Sequence, residues 1–253
     1  MKMFTRFLGV AAVVVLAASQ ARAGLITNDT FSYADGDLQT VSGGIWSNFS
    51  GATPLNVTNI NGNGWASMVS ANAKDDQLIF GGPHSNDVLY AGFDLMVLTQ
   101  NAGVGTYFSL FKDASTGNLF SRVYLTNDGT SVRIGIGNQS TFPTTFDGLL
   151  TLGSTNHIIV KWDETGASTA TLWVNQTSEA ATNMVAIDLA AIQHANIIAF
   201  GLRQGSGQQG TELVDNLLIG TTFADVVPEP STVLLVGAGL MGLLAMRRRS
   251  RRS

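Results

Sequence analysis

Residues 119–136 read Leu-Phe-Ser-Arg-Val-Tyr-Leu-Thr-Asn-Asp-Gly-Thr-Ser-Val-Arg-Ile-Gly-Ile. Leu119, Ser121, Val123 and Leu125 fall on every second position, and Val132, Ile134 and Ile136 do so again after a break. A period of two is that of a strand with one face buried, since successive side chains point to opposite faces of a sheet. The break is Asn127-Asp128-Gly129, residue types that accept the positive φ of a tight hairpin turn. The stretch therefore predicts a β-hairpin with an apolar inner face.

The same grammar extends in both directions. Val104, Thr106, Phe108 and Leu110 alternate, as do Ile158, Val160 and Trp162, then Ala170, Leu172 and Val174. Turn residues separate the runs: Asp35-Gly36, Asn61-Gly62-Asn63-Gly64 and Glu164-Thr165-Gly166. Only residues 188–195 invite a helix, and a short one. Around a dozen strands without an internal repeat or a shift in composition predict one all-β domain over residues 24–225. Two packed antiparallel sheets in a jelly-roll sandwich suit this pattern. The composition agrees: 13% charged residues, 28 glycines and no cysteine. Without cysteine there is neither a disulfide framework nor a thiolate metal site.

Charge is unevenly placed. Of 14 basic residues, Lys2, Arg6 and Arg22 lie near the start and Arg247, Arg248, Arg249, Arg251 and Arg252 at the end, leaving six in the body. Against these stand all the acidic residues but Glu229, so the body is near −11 although the whole chain is −4. Such a surface argues against nucleic acid as a partner.

Both ends carry export features. Lys2 and Arg6 precede an apolar run over residues 7–18, and Ala21-Arg22-Ala23 offers small residues where a signal peptidase reads, so cleavage is expected before Gly24 and residues 1–23 form a signal peptide. Residues 231–246 form a second apolar run, about 24 Å long as a helix and marginal for a membrane span of ~30 Å. The five arginines behind it read as a cytoplasmic stop. The body would then lie outside the inner membrane, with one C-terminal transmembrane helix.

Val227-Pro228-Glu229-Pro230, the glycine-containing apolar run and the arginine block resemble, in that order, the PEP-CTERM sorting signal, which would occupy residues 226–253. The resemblance implies a Gram-negative bacterium and an exosortase, a membrane enzyme that recognises Pro228-Glu229-Pro230 and cuts near it. It implies delivery to the cell surface or an extracellular matrix, the setting of exopolysaccharide and biofilm. Two prolines hold the motif extended, where a cleft can read it. The body resembles the laminin G-like and concanavalin A-like domains of such proteins through Asp29-Thr30-Phe31-Ser32-Tyr33, Val160-Lys161-Trp162-Asp163, Thr171-Leu172-Trp173-Val174-Asn175 and Val214-Asp215-Asn216-Leu217-Leu218-Ile219-Gly220-Thr221. That implies a lectin- or glucanase-type sandwich.

Catalytic chemistry finds little support. A retaining glycosidase needs two carboxylates about 5–5.5 Å apart. Glu164, Glu179 and Glu212 are isolated in sequence, Asp163 and Glu164 would face opposite ways on a strand, and the glycine between Asp35 and Asp37 marks a turn. His84, His157 and His194 lack metal spacing. Gly205-Ser206-Gly207-Gln208-Gln209-Gly210 matches a dinucleotide fingerprint but runs into the strand-like Thr211-Glu212-Leu213-Val214, so a hairpin loop is expected there. No residue is assigned a catalytic or cofactor-binding role.

Calcium is the ion best suited to the oxygen ligands of Asp29, Asp35, Asp37, Asp75, Asp76 and Asn72, and solvated turn carboxylates are the plainer reading of the same residues. Trp46, Trp65, Trp162 and Trp173 are candidates for stacking on sugar, with burial in the core as the usual fate of tryptophan in a sandwich. Five Asn-x-Ser/Thr sequons, at Asn28, Asn48, Asn56, Asn138 and Asn175, suit a surface protein and in a bacterium are not read as glycosylated. The expectation is an exported, exosortase-sorted protein with a non-catalytic sandwich that makes weak polysaccharide contact. The alternatives are a carbohydrate-active hydrolase and a calcium-dependent adhesin.

Overall fold

The structure, a computed structural model, describes residues 24–69, 74–115, 117–138, 143, 146–187, 195–205 and 210–228. Gly24–Val227 forms one compact unit. Its strands are β1 (Leu25–Asp29), β2 (Gly36–Asp37), β3 (Trp46–Ser50), β4 (Asn56–Ile60), β5 (Asn63–Val69), β6 (Asp75–His84), β7 (Val88–Thr99), β8 (Gly103–Lys112), β9 (Leu119–Asn127), β10 (Val132–Gly137), β11 (Gly148–Leu150), β12 (Thr155–Asp163), β13 (Thr169–Val174), β14 (Met184–Ile187), β15 (Ile197–Leu202) and β16 (Thr211–Gly220). Two four-residue helical turns complete it, α1 (Leu38–Val41) and α2 (Phe223–Val226).

The strands form two antiparallel sheets. The nine-stranded sheet runs β14-β13-β12-β7-β16-β5-β4-β2, with β1 also paired to β16. The seven-stranded sheet runs β11-β10-β9-β8-β15-β6-β3. The hairpins read from turn residues are present: β9–β10 around Asn127-Asp128-Gly129, β12–β13 after Asp163, and β4–β5, where Asn61 and Gly62 both take positive φ (54° and 87°) as a type I′ turn requires. Residues 205–210 are different. They join β15 in one sheet to β16 in the other, so this segment is a crossover and not a hairpin loop. As expected it leads into a strand. Of the short helix expected over 188–195, all but Ala195 lies outside the described residues.

The core lies between the sheets. Phe93 of β7 meets Phe108 of β8 edge to face at 6.3 Å and Phe200 of β15 at 5.9 Å. Phe120 of β9 lies 4.7 Å from Trp162 of β12. Each pair bridges the two layers, and such pairs contribute ~1 kcal/mol beyond the area they bury. A second, smaller cluster lies on the other face of the nine-stranded sheet. Tyr90, Ile159 and Trp173 alternate with core residues and are roofed by Phe223 and Val226 of α2. Trp173 thus points away from Leu172, as its place in the alternation requires.

Two expected alternations are interrupted. In β8, Phe108 enters the core but Leu110 pairs with Gly201 on the opposite face, because the β8–β9 register slips between Tyr107 and Phe111. In β9, Phe120 replaces Leu119 in the core, and Ser121 takes φ 47°. These are β-bulges, which insert one residue and reverse the facing of everything beyond.

One carboxylate ties the layers together near the chain start. Asp29 closes β1; its Oδ1 accepts from the Phe31 amide (2.7 Å), and its Oδ2 accepts from Trp46 Nε1 of β3 (2.7 Å) and the Tyr33 hydroxyl (2.9 Å). Trp46 is fully buried, so its indole N–H has no access to water. Asp29→Ala is expected to destabilise the protein by about 3 kcal/mol, lowering Tm by about 6–12 °C, with Asp29→Asn costing less because one acceptor oxygen remains; thermal unfolding of the three proteins checks this.

Candidate functional site

The outer face of the seven-stranded sheet gathers side chains that the sequence scatters. Register places Tyr107 of β8 opposite Tyr124 of β9, their rings 5.6 Å apart at 70°. Arg122, two residues before Tyr124 and on the same face, holds its guanidinium carbon 5.2 Å from the Tyr107 ring and 5.9 Å from that of Tyr124. Arg203, just after β15, stacks on Tyr107 at 4.4 Å. The row is thus Arg203, Tyr107, Arg122, Tyr124, with each cation over a ring. Arg122 donates through Nε (3.0 Å) and a terminal nitrogen to the Asn138 carbonyl. On the neighbouring β10, the residues paired with Tyr124 and Arg122 are Gly135 and Gly137, which add no side chain to this face.

The row continues towards β3. Lys112 lies over the Phe49 ring at 5.4 Å and donates to the Asp113 carbonyl at 2.7 Å. Burial holds its ammonium below the usual lysine range, with the neighbouring Asp113 opposing. A side chain at Gly201 would press to 3.2 Å from Phe49, so the missing Cβ lets that ring lie against the sheet. Burial raises the Tyr124 phenol, with Arg122 partly offsetting it. Asp75 sits beside Arg203 (3.6 Å) and takes the Gln204 amide (3.1 Å). Burial pushes its carboxyl up to about 6, with Arg203 and Gln204 pulling the other way.

The residues named from sequence are placed elsewhere. Trp46, Trp65, Trp162 and Trp173 are all buried, so none offers an exposed ring to sugar. Glu164 accepts from the Asn86 and Ala195 amides, Glu179 from the Tyr90 hydroxyl, and Glu212 from the Gly210 amide; the three remain apart. His84 pairs with Asp87 at 3.0 Å. His157 bridges Asp94 Oδ1 and the Val226 carbonyl, both at 3.0 Å. Burial would raise Asp94, but hydrogen bonds from His157 and Asn216 hold it below the usual carboxylate range. His194 lies outside the described residues.

Of the carboxylates considered for calcium, Asp29 and Asp35 have protein partners of their own, and Asp37, Asp75 and Asp76 lie near one another with Lys74 among them. Asp29 binds Trp46, Asp35 accepts from Asn59, Asp37 accepts from Lys74 (2.7 Å), and Asp75 faces Arg203. Asn72 lies outside the described residues. Among the described residues no three His, Cys, Asp or Glu side chains form a metal-holding group. Glu229, Pro230, residues 231–246, the five terminal arginines, Ala21 and Ala23 also lie outside the described residues. Among the described residues no helix is long and apolar enough to cross a membrane.

Asp76 is an internal liability. It is fully buried, its nearest cation is Lys74 at 3.9 Å, and neither carboxyl oxygen has a hydrogen-bond partner among the described residues. Burial pushes it up to about 6, with Lys74 opposing and Asp37 and Asp75 adding to the rise. A carboxyl raised in the folded state destabilises once ionised, so its contribution worsens as pH climbs from about 4 through about 6. Asp76→Asn is therefore expected to raise Tm by about 5 °C at pH 7.5 and to leave it nearly unchanged at pH 4, measured as a pair of melting curves.

Comparison with known proteins supports the architecture. The chain is similar to an alginate lyase, Aly36B, solved with an alginate trisaccharide: TM-score 0.51, 14% identity, 80% of this chain and 100% of that one. It is also similar to a Trypanosoma rangeli sialidase solved with sialic acid, at TM-score 0.50 and 12% identity over 81% of this chain, spanning 32% of the sialidase. Domain 4 of the Geobacillus stearothermophilus arabinanase AbnA, solved with arabinotriose, gives TM-score 0.48 at 14% identity over 83% of this chain and 98% of that domain. The first two likenesses concern the β-sandwich fold alone. No curated protein matches the chain in sequence. Residues 226–249 match the family model of the PEP-CTERM protein-sorting motif, and the chain therefore carries at this end the signal of an exported protein of Gram-negative bacteria that an exosortase processes at the membrane.

Proposed function

We propose that the protein is an exosortase-sorted surface or matrix protein whose sandwich is a non-catalytic module for contact with acidic polysaccharide. The observation that carries this reading is the row of Arg203, Tyr107, Arg122 and Tyr124 on the outer face of the seven-stranded sheet. The body holds only six basic residues, and four of them, Arg122, Arg133, Arg203 and the buried Lys112, belong to this face. A body near −11 repels a polyanion over most of its surface. Binding of a uronic-acid chain is thereby restricted to the one face where cations and rings alternate. Guanidinium groups hold carboxylates through paired hydrogen bonds, and the half-buried Tyr107 offers its ring to the C–H face of a sugar, while Tyr124, 4% exposed, supports Arg122 and Tyr107 from within. The lyase with the same architecture was solved with a trisaccharide of alginate, an acidic glycan, which adds support of the same kind.

The non-catalytic part of the proposal rests on the separation of Glu164, Glu179 and Glu212, and on the one cross-strand carboxylate pair among the described residues, Asp94 with Asp215, being engaged by His157 and Asn216 on the other sheet. A carbohydrate-active enzyme on this face is the competing reading, favoured by the burial-shifted Lys112 and Tyr124 within the same row. Incubation of the purified protein with polyuronates and neutral β-glucans separates the two. Release of reducing ends, or of unsaturated uronate detected by ultraviolet absorbance, would replace the binding module with an enzyme.

Binding itself is testable by calorimetry at low salt. A polyuronate is expected to bind and a neutral β-glucan not to. Arg122→Ala is expected to weaken binding about 5–10-fold without lowering Tm by more than a few degrees, and added salt is expected to weaken it further. Equal binding of charged and neutral glycans would remove the electrostatic argument.

Sorting has its own measurement. Intact mass of the protein recovered from its host is expected to show loss of the arginine block, with the new end near Pro230. Glu229→Gln is expected to slow that processing if the enzyme reads the carboxylate between the two prolines. A mature mass that retains Arg247–Arg252 marks a stable membrane anchor instead.

A further inference from the structure

The two ends of the compact unit meet, and they do so around one buried carboxylate. Gly24 N–H donates to Asp225 Oδ1 at 3.2 Å, across 201 residues of sequence, and the Gly24 carbonyl accepts from the Thr221 amide at 3.0 Å. Asp225 Oδ2 accepts from the Thr222 amide (2.9 Å) and hydroxyl (2.5 Å). Asp225 is 4% exposed. The fit at residue 24 is close: a Cβ there would run into Thr221 Oγ1 and Asp225 Oδ2. A larger residue there requires the Thr221 or Asp225 side chain to move.

Asp225 also governs the segment that follows. It belongs to α2, whose Phe223 packs edge to face on Tyr90 and Trp173 at 6.2 and 5.2 Å. Val226 is fully buried, its carbonyl accepts from His157 Nε2, and Gly92 leaves no room for a side chain against its backbone. The match to the sorting motif begins at Val226. The first residues of the sorting signal are therefore folded into the body, directly after Asp225, which holds the residue at which the signal peptide is expected to be cut.

Signal-peptide cleavage before Gly24 would convert its amide nitrogen into a primary ammonium at the same place, 3.2 Å from Asp225 Oδ1. We propose that this new N-terminus is a maturation site: the Gly24 ammonium pairs with Asp225 and latches the docked start of the sorting signal onto the sandwich. The uncut chain offers one neutral N–H at this point. The cut chain offers a positive charge and three donors to a carboxylate otherwise served by neutral groups. A charge-assisted bond to a shielded carboxylate is about twice as strong as a neutral one. N-terminal processing thereby tightens the site from which C-terminal processing starts. The inference is independent of the glycan reading, since it concerns the opposite sheet.

The test uses the chain through residue 253 in mild detergent, in two forms: one beginning at Gly24, the other retaining Ala23. The Gly24 form is expected to melt about 4 °C higher at pH 6.5 and to show slower amide exchange over residues 221–227. An amine paired with a carboxylate has its folded pKa raised. The difference is thus fully present below the amine's unfolded value of about 8 and disappears as pH rises through the folded one. The other titratable groups around the docked turn are His157 and its partner Asp94, Tyr90 against Phe223, and Glu179 and Lys161 beside Tyr90. They are common to both forms and cancel in the difference. Asp225→Asn is expected to abolish the gap; should that variant fail to fold, N-terminal acetylation of the Gly24 form removes the charge and is expected to do the same. Equal melting of the two forms at pH 6.5, or a gap that persists at pH 10.5 or after acetylation, overturns the proposal.

Discussion

Everything in this molecule depends on the apolar contact between the two sheets. Phe93 reaches across to Phe108 and Phe200, and Phe120 meets Trp162, so the aromatic rings of one layer interlock with those of the other. With no cysteine in the chain, this burial carries the stability that small exported domains often obtain from disulfides. The cost is rigidity of register. Each inner residue must remain inner, and the outer faces are left for whatever the alternation delivers.

The seven-stranded sheet turns that constraint into a site. An uninterrupted β8 would put Phe108 and Leu110 on the same side. The slip between Tyr107 and Phe111 keeps Phe108 in the core, returns Phe111 to it and sends Leu110 and Lys112 outward. The slip near Ser121 seats Phe120 in the core while leaving Arg122 and Tyr124 outside. The bulges thus serve packing and site at once. Tyr107 and Tyr124 come opposite each other, Arg122 lies over both rings, and Arg203 enters from the end of β15. Local irregularity of this sort re-aims side chains without disturbing the layers beneath.

Period-two alternation and turn chemistry made the strands, the hairpins at Asn127 and Asn61 and the two-layer arrangement legible before any coordinates, because both are local. The sorting motif was legible for the same reason: its prolines, apolar run and arginines are contiguous. The aromatic–arginine row was not. Its members come from positions 107, 122, 124 and 203, and only cross-strand register brings them together; the one available clue was that so few cations remain in the body. The four tryptophans take the fate usual for them in a sandwich, drawn into the interior by the area they bury. Residues 205–210 misled for a topological reason. A glycine-rich link between two strands reads as a hairpin, whereas β15 and β16 belong to different sheets.

The junction of the chain ends shows how a sequence boundary and a physical boundary can differ. A sorting signal read as a separate appendage would begin where the motif begins, at Val226. Packing draws the line later, because the compact unit runs to Val227 and Val226 is as buried as any core residue. The cause is the second cluster on the nine-stranded sheet. Tyr90, Ile159 and Trp173 would be an exposed apolar patch on an otherwise polar face, and α2 is the element that roofs them. Covering that patch requires Phe223 and Val226 to stay down, which in turn requires the helical turn to be held at both ends, by Asp225 with Thr222 and Gly24 on one side and by His157 on the Val226 carbonyl on the other. The last residues of the sandwich are therefore structural in the body and initial in the signal. A cut at or beyond the proline motif leaves that roof intact, whereas a cut before Val226 would expose the aromatic cluster, so the fold itself favours processing on the far side of Val227.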